Sequence, residues 1–146
     1  MSRSVTTGLA HLETTIGSIR YWDKGRDDAR PRLLFLQGLL TGPNAWDGVV
    51  ATLGERHRCI TVDWPFGAHS EPMRSGANLS PPRLARLVME VLDALALSTA
   101  VLIGNDSGGV VAQLVLAESS SYGQGRTASS QRHSASGWRT HSHRAC

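Results

Sequence analysis

Residues 11–23, HLETTIGSIRYWD, alternate apolar and polar side chains about Gly17, and this period of two predicts a β-hairpin. After a polar loop, Arg32–Leu36 (RLLFL) is a short apolar run with turn residues beyond it, the pattern of a buried strand. Trp46, Val49, Val50 and Leu53 recur at helical spacing within residues 43–53. Residues 58–64, RCITVDW, are rich in β-branched side chains and predict another strand, and residues 65–78, with Pro, Gly and Ser throughout, predict a loop. The clearest helix covers residues 80–97. Ser80 is its predicted N-cap, and Pro81 and Pro82 suit a first turn that lacks intrahelical donors. Leu84, Leu87, Val88, Val91, Leu92 and Leu95 form its apolar stripe, with Arg83, Arg86, Glu90 and Asp93 facing outward. A last apolar run, residues 100–103, ends in Gly-Asn-Asp-Ser-Gly-Gly and gives way to helical spacing over about 108–117. Strands alternating with helices predict an α/β fold: a mostly parallel sheet, an N-terminal hairpin on its edge, and helices on both faces.

Beyond Glu118 the character changes. Residues 119–146 contain no Leu, Ile, Val, Met or Phe, so they cannot supply a core-facing side, and disorder is the expected state. The chain therefore divides into a domain at 1–118 and a Ser/Arg/His-rich tail at 119–146. The tail's composition is what out-of-frame reading of a GC-rich gene yields, and the expectation is a truncated or frameshifted chain.

Charge follows the same division. The formal net charge of +3 includes four tail arginines with no lysine or acid among them; with those set aside, +3 becomes −1. The body thus lacks the basic, aromatic-interleaved surface of a nucleic-acid binder. Cys59 and Cys146 have no CxxC spacing, which excludes a zinc site or disulfide framework and points to a reducing, cytoplasmic setting. No window reaches the ~20 apolar residues of a membrane span. His133, His141 and His143 supply imidazoles, but nothing in the tail would position them for a metal or for catalysis. No cofactor is expected.

Candidate chemistry lies in AVLIGNDSGGVVAQLVLA, residues 100–117. A strand turning sharply into a helix over glycines can hold a nucleophile exposed, provided the positions two before and two after it are small. Around Asp106 those positions are Gly104 and Gly108; around Ser107 they are Asn105 and Gly109. The glycine pair favours Asp106. Taken alone, the string also reads as a helix N-cap at Asp106 with packing glycines. Donors for developing negative charge would be the Ser107 backbone N–H and the Leu39 backbone N–H, the latter in the turn Gln37-Gly38-Leu39-Leu40. That turn also reads as an ordinary strand-to-loop connection. Trp46 and Trp64 are expected in packing rather than lining a cavity. Asp63 is expected to tie down the following loop, and His69 and Glu71 to lie solvated in it rather than act as an acid–base pair.

Three segments in order, LLFLQGLLTGPNAW, CITVDWPFGAHSEPM and VLIGNDSGGVVAQ, resemble the N-terminal half of the α/β-hydrolase superfamily. The style is that of its haloalkane dehalogenase and epoxide hydrolase branch, and the resemblance covers roughly residues 9–118. It implies a partial α/β-hydrolase fold and a hydrolase in which Asp106 attacks a halide, epoxide or ester of small size, forming a covalent ester. A histidine oriented by an acid would then activate water. The branch usually carries His where this chain has Gln37, in the loop that shapes the oxyanion site. The later acid, histidine and cap domain of the branch have no counterpart in this sequence, so an impaired copy is expected, capable at most of the first half-reaction. Two other readings stay open: a non-catalytic fragment that binds a partner or a second copy through an open sheet edge, and an esterase using Ser107.

Overall fold

The computed structural model describes residues 4–27 and 31–126, and side-chain surroundings over 8–27 and 31–120. The elements, in order, are β1 (Ser4–Thr14), β2 (Gly17–Arg26), β3 (Arg32–Leu36), a 3-10 turn (Pro43–Trp46) running into α1 (Asp47–Leu53), β4 (Arg58–Val62), α2 (Pro81–Ala94), β5 (Ala100–Gly104) and α3 (Ser107–Arg126). One five-stranded sheet has the order β1-β2-β4-β3-β5. The β1–β2 and β2–β4 ladders are antiparallel, and β3 lies parallel to both β4 and β5. The sheet is therefore mixed, with β4, β3 and β5 parallel and the hairpin antiparallel to β4. The hairpin is longer than the alternation predicted, because pairing continues from Thr14–Gly17 out to Ser4–Arg26 across an irregularity between Thr7 and Ala10.

The alternation of side chains across each strand fills both faces. Leu34 and Leu36 of β3 and Ile60 and Val62 of β4, all 0% exposed, join Leu102 of β5 against Leu84, Leu87, Val88, Val91 and Leu92 of α2 and Val111 and Val115 of α3. On the other face Leu33, Phe35 and Cys59 pack with Val50 of α1, and Trp46, Leu53, Val101 and Ile103 close around them. Burial of each such aliphatic side chain contributes about 1.5–3 kcal/mol. Helices thus cover both faces, as the pattern predicted.

Three local expectations need correction. Ser80 is the N-cap residue of α2 but makes no side-chain cap bond. Pro82 removes the N2 donor, and the N–H of Arg83 already bonds the Ser80 carbonyl at 2.9 Å. Glu90, expected outward, instead accepts hydrogen bonds from the Thr15 N–H (2.7 Å) and hydroxyl (2.9 Å), pinning the hairpin turn to α2. Finally, α3 does not end near Glu118 but continues to Arg126, into the stretch expected to lack structure. An apolar face is needed to pack a helix but not to propagate one; no proline interrupts this stretch, and the Ser119 and Ser120 hydroxyls donate to the Leu116 carbonyl at 2.9 Å. The rest of the expected tail, residues 127–146 with His133, His141, His143 and Cys146, lies outside the described residues.

Candidate active site

Only Asn105 and Asp106 separate the end of β5 from the start of α3. A reversal this short requires unusual backbone, and Asp106 supplies it with φ 52, the left-handed region that aspartate tolerates better than most residues. Three backbone hydrogen bonds hold the turn. Asn105 N–H donates to the Leu36 carbonyl (3.0 Å), Gly108 N–H to the Asn105 carbonyl (2.9 Å), and Gly109 N–H to the Asp106 carbonyl (2.9 Å).

The flanking glycines are required by space. A Cβ on Gly104 would stand 2.7 Å from the Gly108 carbonyl oxygen and from the Gly109 nitrogen and Cα. On Gly108 it would stand 2.1 Å from the Leu36 carbonyl oxygen and 2.6 Å from that of Gln37. At Gly109 the nearest neighbour would be 3.9 Å away, an ordinary contact. The tight positions are thus those two before and two after Asp106. The turn is centred on Asp106, and Ser107 is already the first residue of α3.

The loop after β3 passes directly beside this turn. A Cβ on Gly38 would meet the Asp106 Cβ and Oδ2, each at 3.1 Å, so a side chain there would crowd the exposed carboxylate by a few tenths of an ångström. Next in sequence, the Leu39 N–H donates to the Ser107 Oγ at 2.6 Å. Both residues expected as donors, Leu39 and Ser107, therefore lie at the Asp106 turn. The Leu39 N–H, however, is not an open donor: serine is short, and from the first position of α3 its hydroxyl reaches the amide as that amide crosses. The loop is fastened further on, where Leu40 (φ 61) donates its N–H to the Phe66 carbonyl at 2.9 Å and the Thr41 hydroxyl donates to the Gly38 carbonyl at 2.8 Å. Leu39 and Leu40 themselves are 58% and 72% exposed, so an apolar lip follows Gly38. Gln37 is buried, and neither atom of its side-chain amide has a hydrogen-bond partner among the described residues.

The neighbouring candidates fall into structural roles. Trp64 is buried and its indole N–H donates to the Phe35 carbonyl at 2.8 Å; Trp46 packs on the Phe35 ring with centroids 5.0 Å apart. Asp63 is buried and ties its loop down, with Oδ2 accepting from Arg20 Nη2 and from the Ser70 N–H, both at 3.0 Å. His69 and Glu71 do lie in that loop, but His69 is half-buried rather than solvated, its Nδ1 enclosed with no hydrogen-bond partner among the described residues; Glu71 sits 3.8 Å from His11, a largely exposed pair on the hairpin side. At the other end of β4, Arg58 donates to buried Asp23 (2.6 Å from Nη2), and that hydrogen bond holds the guanidinium above its ordinary value. Burial, then the Asp23 charge, pushes the Cys59 thiol up to about 11. Sequence reasoning missed the Arg20–Asp63 and Arg58–Asp23 pairs, for which the only signal is opposite charge on strands that later prove adjacent. Among the described residues no group of three His, Cys, Asp or Glu could hold a metal ion, and no helix is long and apolar enough to cross a membrane.

Comparison with known proteins agrees with this arrangement. The α/β hydrolase fold family matches residues 31–139, a span that continues past Glu118. The chain is similar to haloalkane dehalogenase 2 of Mycobacterium bovis, 29% identical over 108 residues, which are 73% of this chain and 36% of that protein. It is also similar to the structure of a hydrolase from Pseudomonas aeruginosa PA01 (30% identity, TM-score 0.64, covering 75% of this chain and 40% of that one). A structure of epoxide hydrolases from metagenomes of hot environments gives 27% identity and a TM-score of 0.65, covering 77% of this chain and 38% of that one. The chain thus spans about a third of the length of the curated relatives it matches. With the family match extending over most of its residues, and with a strand–turn–helix of the geometry described above, the chain belongs to the α/β hydrolase fold family.

Proposed function

We propose that Asp106 is a nucleophile that opens a carbon electrophile of the halide or epoxide class, in the manner suggested by relatives named haloalkane dehalogenase and epoxide hydrolase. The observation that carries this reading is the non-glycine φ of 52 at Asp106, flanked two residues either way by glycines with no room for a Cβ. Strain of that kind, about 1 kcal/mol or more, persists where the surroundings enforce it, and such sites concentrate at functional turns. The Asp106 carboxylate is exposed and needs no proton removed before it attacks, so alkylation requires only positioning.

Hydrolysis of the resulting ester is a different demand, because it needs an activated water. His57 precedes β4 and so lies at the opposite end of the parallel strands from Asp106. His11 and Glu71 sit on the hairpin side; β1 and β5 are four strand spacings apart, about 19 Å at ~4.8 Å each. We expect a single alkylation without sustained turnover; repeated turnover would bring in His69, on the loop that follows β4. The Ser107 esterase reading is weaker, since Ser107 begins a regular helix and its Oγ accepts the Leu39 N–H. A binding role through the outer edge of β5, which pairs with no further strand among the described residues, would not require the Asp106 geometry.

The test is peptide-mapped mass spectrometry after incubation with a reactive haloalkane. One alkyl group on the Asp106 peptide, absent in Asp106→Asn, is the expected result. Label on Ser107, or repeated halide release abolished by Asp106→Ala, would replace the reading with an esterase or a complete hydrolase respectively.

A further inference from the structure

Accepting that Asp106 is the nucleophile, we infer that the Ser107 side chain, not the Leu39 amide, supplies the second anion donor of this site, and that it selects epoxides over alkyl halides. The Leu39 N–H is committed to Ser107 Oγ at 2.6 Å. That bond uses a lone pair of the hydroxyl and leaves its O–H free to point elsewhere; among the described residues it donates to no other group. The Ser107 N–H, at the first position of α3, likewise has no intrahelical acceptor. Ser107 alone thus presents two donors at the turn, its hydroxyl and its backbone N–H. The carboxylate that would attack and the hydroxyl that would receive charge both lie beside the same Gly38–Leu39 segment: a Cβ on Gly38 would stand 3.1 Å from Asp106 Oδ2, and the Leu39 N–H bonds Ser107 Oγ.

The chemistry of the leaving atom then decides the substrate. When a carboxylate oxygen of Asp106 attacks an epoxide carbon, the new C–O ester bond forms as the ring C–O bond breaks. The electron pair moves onto the ring oxygen, which is held by Ser107 as an alkoxide and takes its proton from water. Charge on a compact oxygen forms short, strong bonds to O–H donors, about 2.5–2.7 Å. A departing bromide carries the same charge over a larger, less basic atom, and gains less from the same hydroxyl. The Leu39 N–H, polarising Oγ from behind, strengthens the O–H as a donor.

The experiment follows labelling of the intact 146-residue chain by styrene oxide and by 2-phenylethyl bromide, which share a carbon skeleton, with mass-mapped rates at Asp106. Loss of one transition-state donor costs up to about 10²–10³-fold in rate. In this exposed site Ser107→Ala is expected to slow the epoxide at least tenfold and the bromide no more than about twofold, with Ser107→Thr restoring the epoxide rate. The Leu39 N–H freed in the alanine variant lies one hydroxyl behind the lost donor and does not replace it. Equal slowing of both reagents would reduce Ser107 to a structural role. Faster labelling by both would mean that its hydroxyl blocks Leu39. Either overturns the inference while leaving Asp106 the nucleophile. No label at Asp106 in the parent chain with either reagent overturns the nucleophile reading, and this one with it.

Discussion

Adding one methyl group at residue 108 should cost more than any other single small substitution in the turn, and adding it one residue later should cost nothing. At Gly108 a Cβ meets the Leu36 carbonyl oxygen at 2.1 Å and the Gln37 oxygen at 2.6 Å. Carbon and carbonyl oxygen settle no closer than about 3.3 Å, so α3 must retreat from β3 by roughly 1 Å. Neither partner is a flexible side chain. Both are backbone at the end of a strand whose last residue, Leu36, is 0% exposed. Overpacking of well-packed sites costs about 1–3 kcal/mol, and with backbone on both sides the upper part of that range applies. Gly108→Ala is therefore expected to lower stability by about 2–3 kcal/mol, visible in urea denaturation and as a fall in Tm of about 4 °C per kcal/mol. A 1 Å displacement of the helix start also moves Asp106 relative to Gly38, and labelling of Asp106 should slow by about 10²-fold. Gly109→Ala is the control. Its Cβ has only the Gly104 oxygen at 3.9 Å, and alanine is favoured over glycine inside a helix by about 1 kcal/mol. Equal stability of the two variants, or a Gly108→Ala chain that matches the parent within about 0.5 kcal/mol, would refute the packing argument and with it the account of why the turn centres on Asp106.

Four further outcomes are expected. Asp106→Gly should leave stability unchanged or raise it by up to about 1 kcal/mol, because glycine adopts φ 52 without strain, while abolishing labelling; a clear loss of stability would show that the carboxylate supports the fold. Burial raises the Cys59 thiol from 9.0 to about 11, so the folded chain keeps a proton there that the unfolded chain loses. Stability from this source is full below pH 9 and is lost as pH rises to about 11, by on the order of 2–3 kcal/mol, and comparison with Cys59→Ala in chemical denaturation isolates it. Arg20→Ala should destabilise more than Asp63→Asn, about 3 against 1 kcal/mol in urea melts, since the first strands a buried charge and the second removes it. A purely monomeric chain in sedimentation velocity at micromolar concentration would refute association of a second copy through the outer edge of β5, which pairs with no further strand among the described residues.

What the sequence disclosed of the fold is what repeats along it. The α2 stripe from Leu84 to Leu92 and the apolar runs of β3 and β5 carry their own period, and the structure buries the same residues apart from Val101 and Ile103, which it half-buries. The turn was legible for a related reason, in that glycines two residues either side of Asp106 record a steric demand in sequence. Contacts between distant segments leave no such record. Glu90 reads as one more outward charge on a helix until the hairpin, 75 residues earlier, brings Thr15 to it. The Leu39–Ser107 hydrogen bond joins residues 68 apart and alters which donors are open. The extent of α3 was misjudged because lack of aliphatic side chains speaks to packing, whereas helix propagation depends on local backbone bonds.

The same division explains how the turn can hold strain at all. Leu34, Phe35 and Leu36 are completely buried, as are Ile60 and Val62 beside them, so the strand ends from which the site is built cannot drift to relieve Asp106. The Leu36 carbonyl receives the Asn105 N–H and also forbids a side chain at Gly108, which makes one atom both the tether of the turn and the wall that shapes it. The groups on which the proposed function rests stand outside that core: an exposed carboxylate, a hydroxyl whose donor is open, and an apolar lip at Leu39 and Leu40. On the proposed reading, reactivity at Asp106 would depend on backbone that could hardly be altered without loss of fold, and the choice of substrate on a side chain, Ser107, that also fastens the Leu39 amide.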